Sequence, residues 1–346
     1  MIEAMSRLTV LMLLVLPLLA ACSSHAPKQA AGTWTIAIHG GAGTLERNAP
    51  PEQLAEYRAA LAAALEAGRA RLARGDSAVD VCEAVVRMLE DDHHFNAGKG
   101  AAFNEKGGHE LDASIMDGST LACGAVAGVK TVKNPISLAR AVMEKTKHVL
   151  LMGDGAEEFA THVGVERVPN SYFDTEYRRK VLEEVLRERA AKQSMESGGS
   201  GGSGGGEDVK LTYSTVGCVV RDSQGRLAAA TSTGGLTGKK FGRVGDSPII
   251  GAGNYADAWV AVSGTGTGEE FIRHNVARTI GARVRFGGES LTHAADEVVF
   301  RTLKKDDGGI IAVDRDGNVA MPYSSEGMYR GVADSNGRFE VRIFEE

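Results

Sequence analysis

Ten consecutive glycines and serines, Ser197-Gly-Gly-Ser-Gly-Gly-Ser-Gly-Gly-Gly206, interrupt a chain whose flanks carry strand-like and helix-like patterns on both sides. Residues of that kind bury almost nothing and behave as a flexible tether. Any core must therefore be built jointly or separately by what precedes and follows them. The tether runs over 196–208 and gives way to Thr215, which opens a strand-like run, Thr215-Val-Gly-Cys-Val-Val220. A tether that ends on a hydroxyl residue at the mouth of a strand reads as a chain built to be cut there. Breaking the Ser214–Thr215 bond would give Thr215 a free α-amine beside its own hydroxyl, so that one residue holds both nucleophile and base.

The rest of the chain limits what such a nucleophile could serve. A length of 346 residues admits one large domain or two ordinary ones. A net charge of −6 and a pI near 5.9 offer no basic footprint for nucleic acid. Glycine, at 44 residues, exceeds the usual ~7% and falls in short clusters between apolar runs. Such clusters permit tight turns and close approach of backbone to a ligand. At the start, Arg7 precedes an apolar run over 8–21, the length of a signal-peptide core and short of the ~20 residues of a membrane span. It closes on Leu19-Ala-Ala-Cys22, which resembles the lipobox of bacterial lipoproteins. That implies a signal peptide over 1–21, a polar leader over 22–33, a lipid anchor on Cys22 and a place in the bacterial cell envelope. An ordinary secretory signal, with a periplasmic product, is the alternative. Cys82, Cys123 and Cys218 lie in apolar runs at no metal-ligand spacing and read as buried structural thiols.

Periodicity predicts a strand over 34–38 that runs into a glycine turn at 39–43. Helices are expected over 51–74 and from Ser77 onward, the latter with Ser77 as N-cap. Paired strands are expected at 111–116 and 123–129, then helices at 136–146 and 174–194. Beyond Thr215 the texture turns to strands: 215–221 and 226–232 flank the turn Asp222-Ser-Gln-Gly225. Strands at 249–253 and 259–263, helices at 269–280 and 291–303, and a hairpin of 309–313 with 319–321 complete the pattern. Neither half looks self-sufficient. The expectation is two sheets sandwiched by helices, with residues 34–214 and 215–346 sharing one domain.

Around Thr215 the sequence gathers further chemistry. An α-amine, with an ordinary pKa of ~7.7–8.0, can take the hydroxyl proton near neutrality without a histidine. The run Thr231-Ser-Thr-Gly-Gly235 would return Thr233 towards Thr215. In Gly242-Arg-Val-Gly-Asp246, Arg243 can grip a carboxylate through two parallel hydrogen bonds and Asp246 can accept from an ammonium group. A surface salt bridge between the two is the plainer reading of that pair. Ser263-Gly-Thr-Gly-Thr-Gly268 offers backbone N–H groups and the Thr265 hydroxyl to a developing oxyanion. It also resembles a nucleotide loop, but its third glycine falls one place early for the dinucleotide pattern.

Taken in order, these motifs resemble the plant-type asparaginases, isoaspartyl peptidases of the N-terminal-nucleophile hydrolase superfamily. Ile38-His-Gly-Gly-Ala-Gly43, Phe95-Asn-Ala-Gly98, His109-Glu-Leu-Asp-Ala113, Met116-Asp-Gly118 and Glu326-Gly-Met-Tyr-Arg330 extend the resemblance over nearly all of 34–346. It implies an α+β fold, the four-layer αββα sandwich, assembled as a dimer of cleaved αβ units. Thr215 would be the nucleophile, Ser214–Thr215 the cleaved bond, and Thr233 the group that tunes the nucleophile. Asn96 would help to seat Thr215. Arg243 and Asp246 would bind the α-carboxylate and α-amine of the substrate, with Val244 and Gly245 between them. Thr265 and Gly266 would form the oxyanion hole, and Thr267 and Gly268 would complete the substrate loop. Backbone carbonyls of Leu89, Glu90, Asp92, Phe95, Ala97 and Lys99 would hold a structural sodium ion. No organic cofactor is implied. The implied reactions are removal of N-terminal β-aspartyl residues from dipeptides and hydrolysis of L-asparagine to aspartate and ammonia.

Three departures from the family pattern stand out. Ser214 occupies a position where the family has glycine, which tolerates the strained backbone that favours cleavage. Slower maturation is therefore expected. The segment Asn254-Tyr-Ala-Asp-Ala-Trp259 is one residue short. The lipoprotein-type signal is the third. Two other readings compete with the peptidase: a glycosylasparaginase, which would more often carry Asp and Ile on either side of the threonine, and an uncleaved, inactive lipoprotein that binds aspartyl or amino-acid ligands.

Overall fold

The computed structural model describes residues 32–43, 49–197 and 215–345. The expectations for Cys22, Ser214 and residues 198–208 of the tether lie outside them, whereas Glu196 and Ser197, expected in the tether, are helical.

The chain begins with strand β1 (Thr35–Ala42), helix α1 (Pro51–Arg74) and helix α2 (Ala78–Asp91). Ser77 caps α2 as its position suggests, its hydroxyl accepting the Asp80 N–H at 3.2 Å. Strands β2 (Leu111–Asp117) and β3 (Cys123–Val129), helix α3 (Pro135–Lys145), strand β4 (Leu150–Met152) and helices α4 (Gly153–Val163) and α5 (Glu176–Ser197) follow. After Thr215 come β5 (Val216–Arg221), β6 (Leu227–Thr233), β7 (Asn254–Ala256) and β8 (Val260–Gly266). Helices α6 (Gly268–His274), α7 (Val276–Gly287) and α8 (Leu291–Glu297) precede the last strands: β9 (Gly308–Asp314), β10 (Val319–Ala320), β11 (Met328–Asp334) and β12 (Phe339–Arg342).

Eight strands form one sheet in the order β12-β11-β1-β5-β6-β2-β3-β4, and four form a second in the order β10-β9-β8-β7. Strand alternation then decides the layers, because successive side chains leave opposite faces. From β5, Val216, Cys218 and Val220 enter a core shared with α1, α2 and α3, whereas Val219 enters a second core shared with β8, β9, α7 and α8. Ile36 and Ile38 of β1, and Ala228 and Ala230 of β6, face the first core; Ala37, Leu227 and Ala229 face the second. The result is a four-layer αββα sandwich. Strand β1 sits between β11 and β5, and β2 pairs with β6, so segments from before and after the tract are interleaved in one sheet.

Local expectations that differ do so for identifiable reasons. The glycine cluster at 39–43 is not a turn, since β1 runs on to Ala42 with a bulge between His39 and Gly41. Gly40 is needed there because a Cβ would lie 2.4 Å from the Phe95 ring. The segment 249–253 is a turn rather than a strand: the N–H groups of Ile249 and Gly253 both point at the Asp246 carbonyl, at 2.9 and 3.2 Å. The helix expected over 269–280 is two helices, divided at Asn275 by its left-handed conformation, φ 49°. The helix expected over 291–303 ends as α8 and continues as a wider turn over Val298–Thr302.

The two sheets meet so closely that a methyl group is too much at one point. A Cβ on Gly217 would lie 2.0 Å from Ser263 Oγ and 2.3 Å from His39 Nε2. Gly217→Ala should therefore cost about 1–3 kcal/mol of overpacking. Gly155, inside α4 with open space around it, should behave oppositely, with Gly155→Ala neutral or stabilising by up to about 1 kcal/mol. Denaturant titration of the two variants checks both signs.

Candidate functional site

The site grows out of the β5–β6 register. Val216 lies opposite Ser232 and Gly217 opposite Thr231, so Thr215, one residue earlier, falls opposite Thr233 at the end of the pair. Thr215 shares the face of Gly217 and Val219, which looks between the sheets. Its hydroxyl stands 3.3 Å from that of Thr233, which in turn accepts the Gly235 N–H at 3.0 Å. Asn96 braces the same turn from the loop after α2. Its Nδ2 donates to the Gly235 carbonyl at 2.7 Å, its backbone carbonyl accepts from Gly234 at 2.9 Å, and its Oδ1 accepts from Ala102 at 2.6 Å.

Beneath Thr215 lies a buried polar chain that sequence reasoning did not single out. His39, in β1 opposite Gly217, is bonded through Nδ1 to the Thr215 carbonyl and through Nε2 to the Ser263 hydroxyl, each at 2.9 Å. Ser263 also meets the Thr231 hydroxyl at 2.7 Å. Burial drives the His39 pKa from 6.5 down to about 3, outweighing the bond to Thr215, so the ring is neutral near pH 7. A neutral ring bonded to a carbonyl donates from Nδ1, which leaves Nε2 to accept from Ser263. The available signal was a polar residue on a strand face otherwise carrying Ala37, opposite a glycine.

Thr215, Thr233, Asn96, Arg243, Gly245, Asp246 and Gly266 all line one small pocket, together with Gly235, Leu236 and Ser247, which had not been singled out. Val244, Thr265, Thr267 and Gly268 are not on its surface. Three side-chain oxygens on or beside this pocket are buried without a hydrogen-bond partner: Ser247 Oγ and, on two residues of the expected site, Asp246 Oδ2 and Thr265 Oγ1. An unpartnered buried oxygen is costly, and the last two belong to residues suited to hold a polar ligand. Burial lifts Asp246 to about pKa 7, with Arg243 opposing that rise. The backbone leaves space for this arrangement. A Cβ on Gly268 would lie 2.7 Å from Arg243 Nη2, and one on Gly253 would lie 2.4 Å from Asp246 Oδ2.

Arg243 does not form the salt bridge with Asp246 that the short spacing suggested. It grips Glu269 through two parallel bonds, Nε to Oε1 at 2.9 Å and Nη2 to Oε2 at 2.8 Å. Glu269 sits in the first turn of α6, and only the close approach of that helix to the 242–246 turn brings it to Arg243. The guanidinium is thereby held in a fixed orientation, with Nη1 uncommitted to Glu269.

The loop following α2 folds back on itself. The Cβ position of Gly98 lies 2.2 Å from the Glu90 carbonyl oxygen, and that of Gly100 lies 2.2 Å from the oxygen of Phe95 and 2.4 Å from that of His93. Ala97 and Asp92 carbonyls accept from Gly100 and Phe95 within the same loop. Lys99 turns its ammonium to the Tyr172 carbonyl at 2.7 Å. Clustered backbone oxygens of this kind fit a hard cation.

The neutral state of His39 has a consequence for stability. The unfolded chain binds a proton near pH 6.5 that the folded chain refuses until about pH 3. Folding stability from this residue is therefore complete above pH 6.5 and falls by about 1.4 kcal/mol per unit below it. His39→Gln should flatten the loss between pH 6.5 and 4 relative to the parent protein, as read from urea midpoints across that range.

Comparison with known proteins places these motifs in a lineage. A family model described as asparaginase matches residues 32–343. An isoaspartyl peptidase of Salmonella typhimurium is 50% identical over 300 residues, covering 85% of this chain and 93% of that protein. A probable isoaspartyl peptidase/L-asparaginase 2 of Arabidopsis thaliana is 44% identical, covering 91% of this chain and 100% of its own length. A plant-type L-asparaginase of Pyrococcus abyssi is 43% identical, over 85% and 94% respectively. With the family model spanning both sheets and the pocket between them, the chain belongs to the asparaginase family.

Proposed function

We propose that the protein is an isoaspartyl peptidase and L-asparaginase that acts through Thr215 after cleavage of the Ser214–Thr215 bond. The observation that carries this reading is the paired hydroxyls of Thr215 and Thr233 at a strand end, inside a pocket that also holds Arg243 and Asp246. Once cleaved, the Thr215 α-amine would take the hydroxyl proton while Oγ1 attacks the side-chain amide carbon of the aspartyl group. The oxyanion would be met by the Thr265 hydroxyl and the Gly266 N–H. The nitrogen would leave with the proton from the α-amine, as ammonia or as the amino group of the second residue. Water would then release aspartate from the ester on Thr215. Thr233 and Asn96 would hold the nucleophile, and His39 would fix its backbone carbonyl.

Arg243 and Asp246 would clamp the aspartyl α-carboxylate and α-amine, with Val244, Gly245, Thr267 and Gly268 forming the backbone around them. An ammonium group would supply the partner that Asp246 Oδ2 lacks. The clamp reads the aspartyl part alone, which lets one site take asparagine and β-aspartyl dipeptides. The carbonyls of Leu89, Glu90, Asp92, Phe95, Ala97 and Lys99 would hold a sodium ion that stiffens the loop carrying Asn96. Assembly as a dimer of cleaved αβ units, a lipid anchor on Cys22 and a place in the cell envelope complete the reading; they rest on sequence resemblance. Among the described residues, no helix is long and apolar enough to cross a membrane.

Intact mass of the purified protein, followed at neutral pH, should resolve into two fragments with the smaller beginning at Thr215. Thr215→Ala should stay a single chain and release no aspartate from asparagine or a β-aspartyl dipeptide. A single chain that hydrolyses either substrate would end the proposal. The clamp also sets a pH limb. Asp246 must be ionised to meet an ammonium group, and burial raises its carboxyl to about pKa 7. Thus kcat/KM should fall as pH drops below ~7. Asp246→Asn should lower kcat/KM by roughly 10²-fold, the loss of a buried charge partner worth about 3 kcal/mol, and should make the acid limb shallower, leaving only the part set by protonation of the Thr215 α-amine.

A further inference from the structure

We propose that Asp92, His93 and His94 form a side-chain binding site for a divalent transition metal of the zinc class, on the outer surface of the loop that carries Asn96. Among the described residues, no other three His, Cys, Asp or Glu side chains bring a ligand atom each within 4.8 Å of one another. Asp92 Oδ1 lies 2.6 Å from His94 Nδ1 and 4.0 Å from His93 Nδ1, and the two imidazoles are 4.2 Å apart between ring centres. A tetrahedral ion with bonds of about 2.0–2.2 Å needs adjacent ligand atoms roughly 3.3 Å apart. His94 and Asp92 would have to part by roughly 0.7 Å and His93 to close by a similar distance. Both are small torsional changes.

A second observation points the same way. The far nitrogen of His94, Nε2, faces a carboxylate oxygen of Glu56 on α1 at 3.6 Å, an ion-pair separation longer than a hydrogen bond; exchange of the Nδ1–H···Asp92 bond for a metal would leave the ring proton on Nε2, facing that carboxylate. A metal-ligating histidine characteristically gives its other N–H to a carboxylate, which orients the ring and raises its basicity. His94 is further held by an edge-on contact with Tyr57, at 5.0 Å between ring centres. One ligand is thus already fixed, while the exposed His93 can swing in and leave an open side for water.

This site is distinct from the cradle of backbone oxygens in the same loop. Imidazole nitrogens select zinc, nickel, copper or cobalt, whereas carbonyl oxygens suit hard cations. The two share only Asp92, through its side chain here and its backbone there. Because Asn96 follows His94 by two residues, an ion at this site would tie the loop that braces Gly234 and Gly235 to helix α1.

The test is titration calorimetry of the full chain with ZnCl2, after chelator treatment and in buffer containing excess NaCl. One zinc per chain is expected, with cobalt substitution giving the visible bands of a low-coordinate nitrogen-ligated ion. His93→Ala, at an exposed position that folding does not need, should abolish stoichiometric binding. Glu56→Gln should weaken it by roughly 10–100-fold. His148→Ala, elsewhere on the surface, should leave it unchanged. Absence of zinc binding in the parent protein, or stoichiometric binding that survives His93→Ala, would overturn the proposal, and either result leaves the amidohydrolase reading untouched.

Discussion

The pairing of β5 with β6 is the constraint on which the site depends. Because Val216 is opposite Ser232, Thr215 must be opposite Thr233, and both must face the gap between the sheets. A slip of one residue would turn Thr215 into the helix-packed core where Val216 and Val220 now lie. The register is held by apolar side chains sorted onto both faces and by the tight turn at Asp222, whose carboxylate accepts the N–H groups of Gln224 and Arg226. Hydrophobic burial on two faces therefore positions a polar pair at the strand end.

The polar groups around that pair are held at different energetic cost. His39 and Ser263 satisfy each other within the sheet interface, so their burial is compensated and their geometry fixed. Asp246 and Thr265 each retain an unpartnered oxygen. Unpartnered oxygens beside a pocket are where a polar ligand would find its hydrogen bonds. Glu269 adds a further element, since it pre-orients Arg243 at the edge of the pocket while competing with any incoming carboxylate.

Much of this was legible in the chain. Strand alternation and turn chemistry gave β2, β3, β5 and β6 close to their final bounds, and Ser77 marked the start of α2. Thr215, Thr233, Arg243 and Asp246 were singled out from local chemistry, Asn96 and Gly266 through the family resemblance, and the structure gathers them into one pocket. What escaped were contacts made across long sequence separations. His39 looked like part of a glycine turn because glycine usually marks one; in this case it makes room for the Phe95 ring. Glu269 looked like an ordinary acidic residue in the first turn of a helix. The strand expected at 249–253 failed because apolar character cannot reveal that its N–H groups converge on the Asp246 carbonyl.

Local pattern by itself determined the type of most elements, the two-faced burial of the central strands and the position of the hydroxyl residue after a glycine–serine tract. Those properties depend on side-chain periodicity and on backbone freedom, which are encoded residue by residue. Only the tertiary structure decided that Arg243 grips Glu269, that His39 lies beneath Thr215, and that Asp246 and Thr265 each keep a buried oxygen without a partner. Each depends on how closely separate elements approach, and that distance is set by packing volumes summed over the whole core.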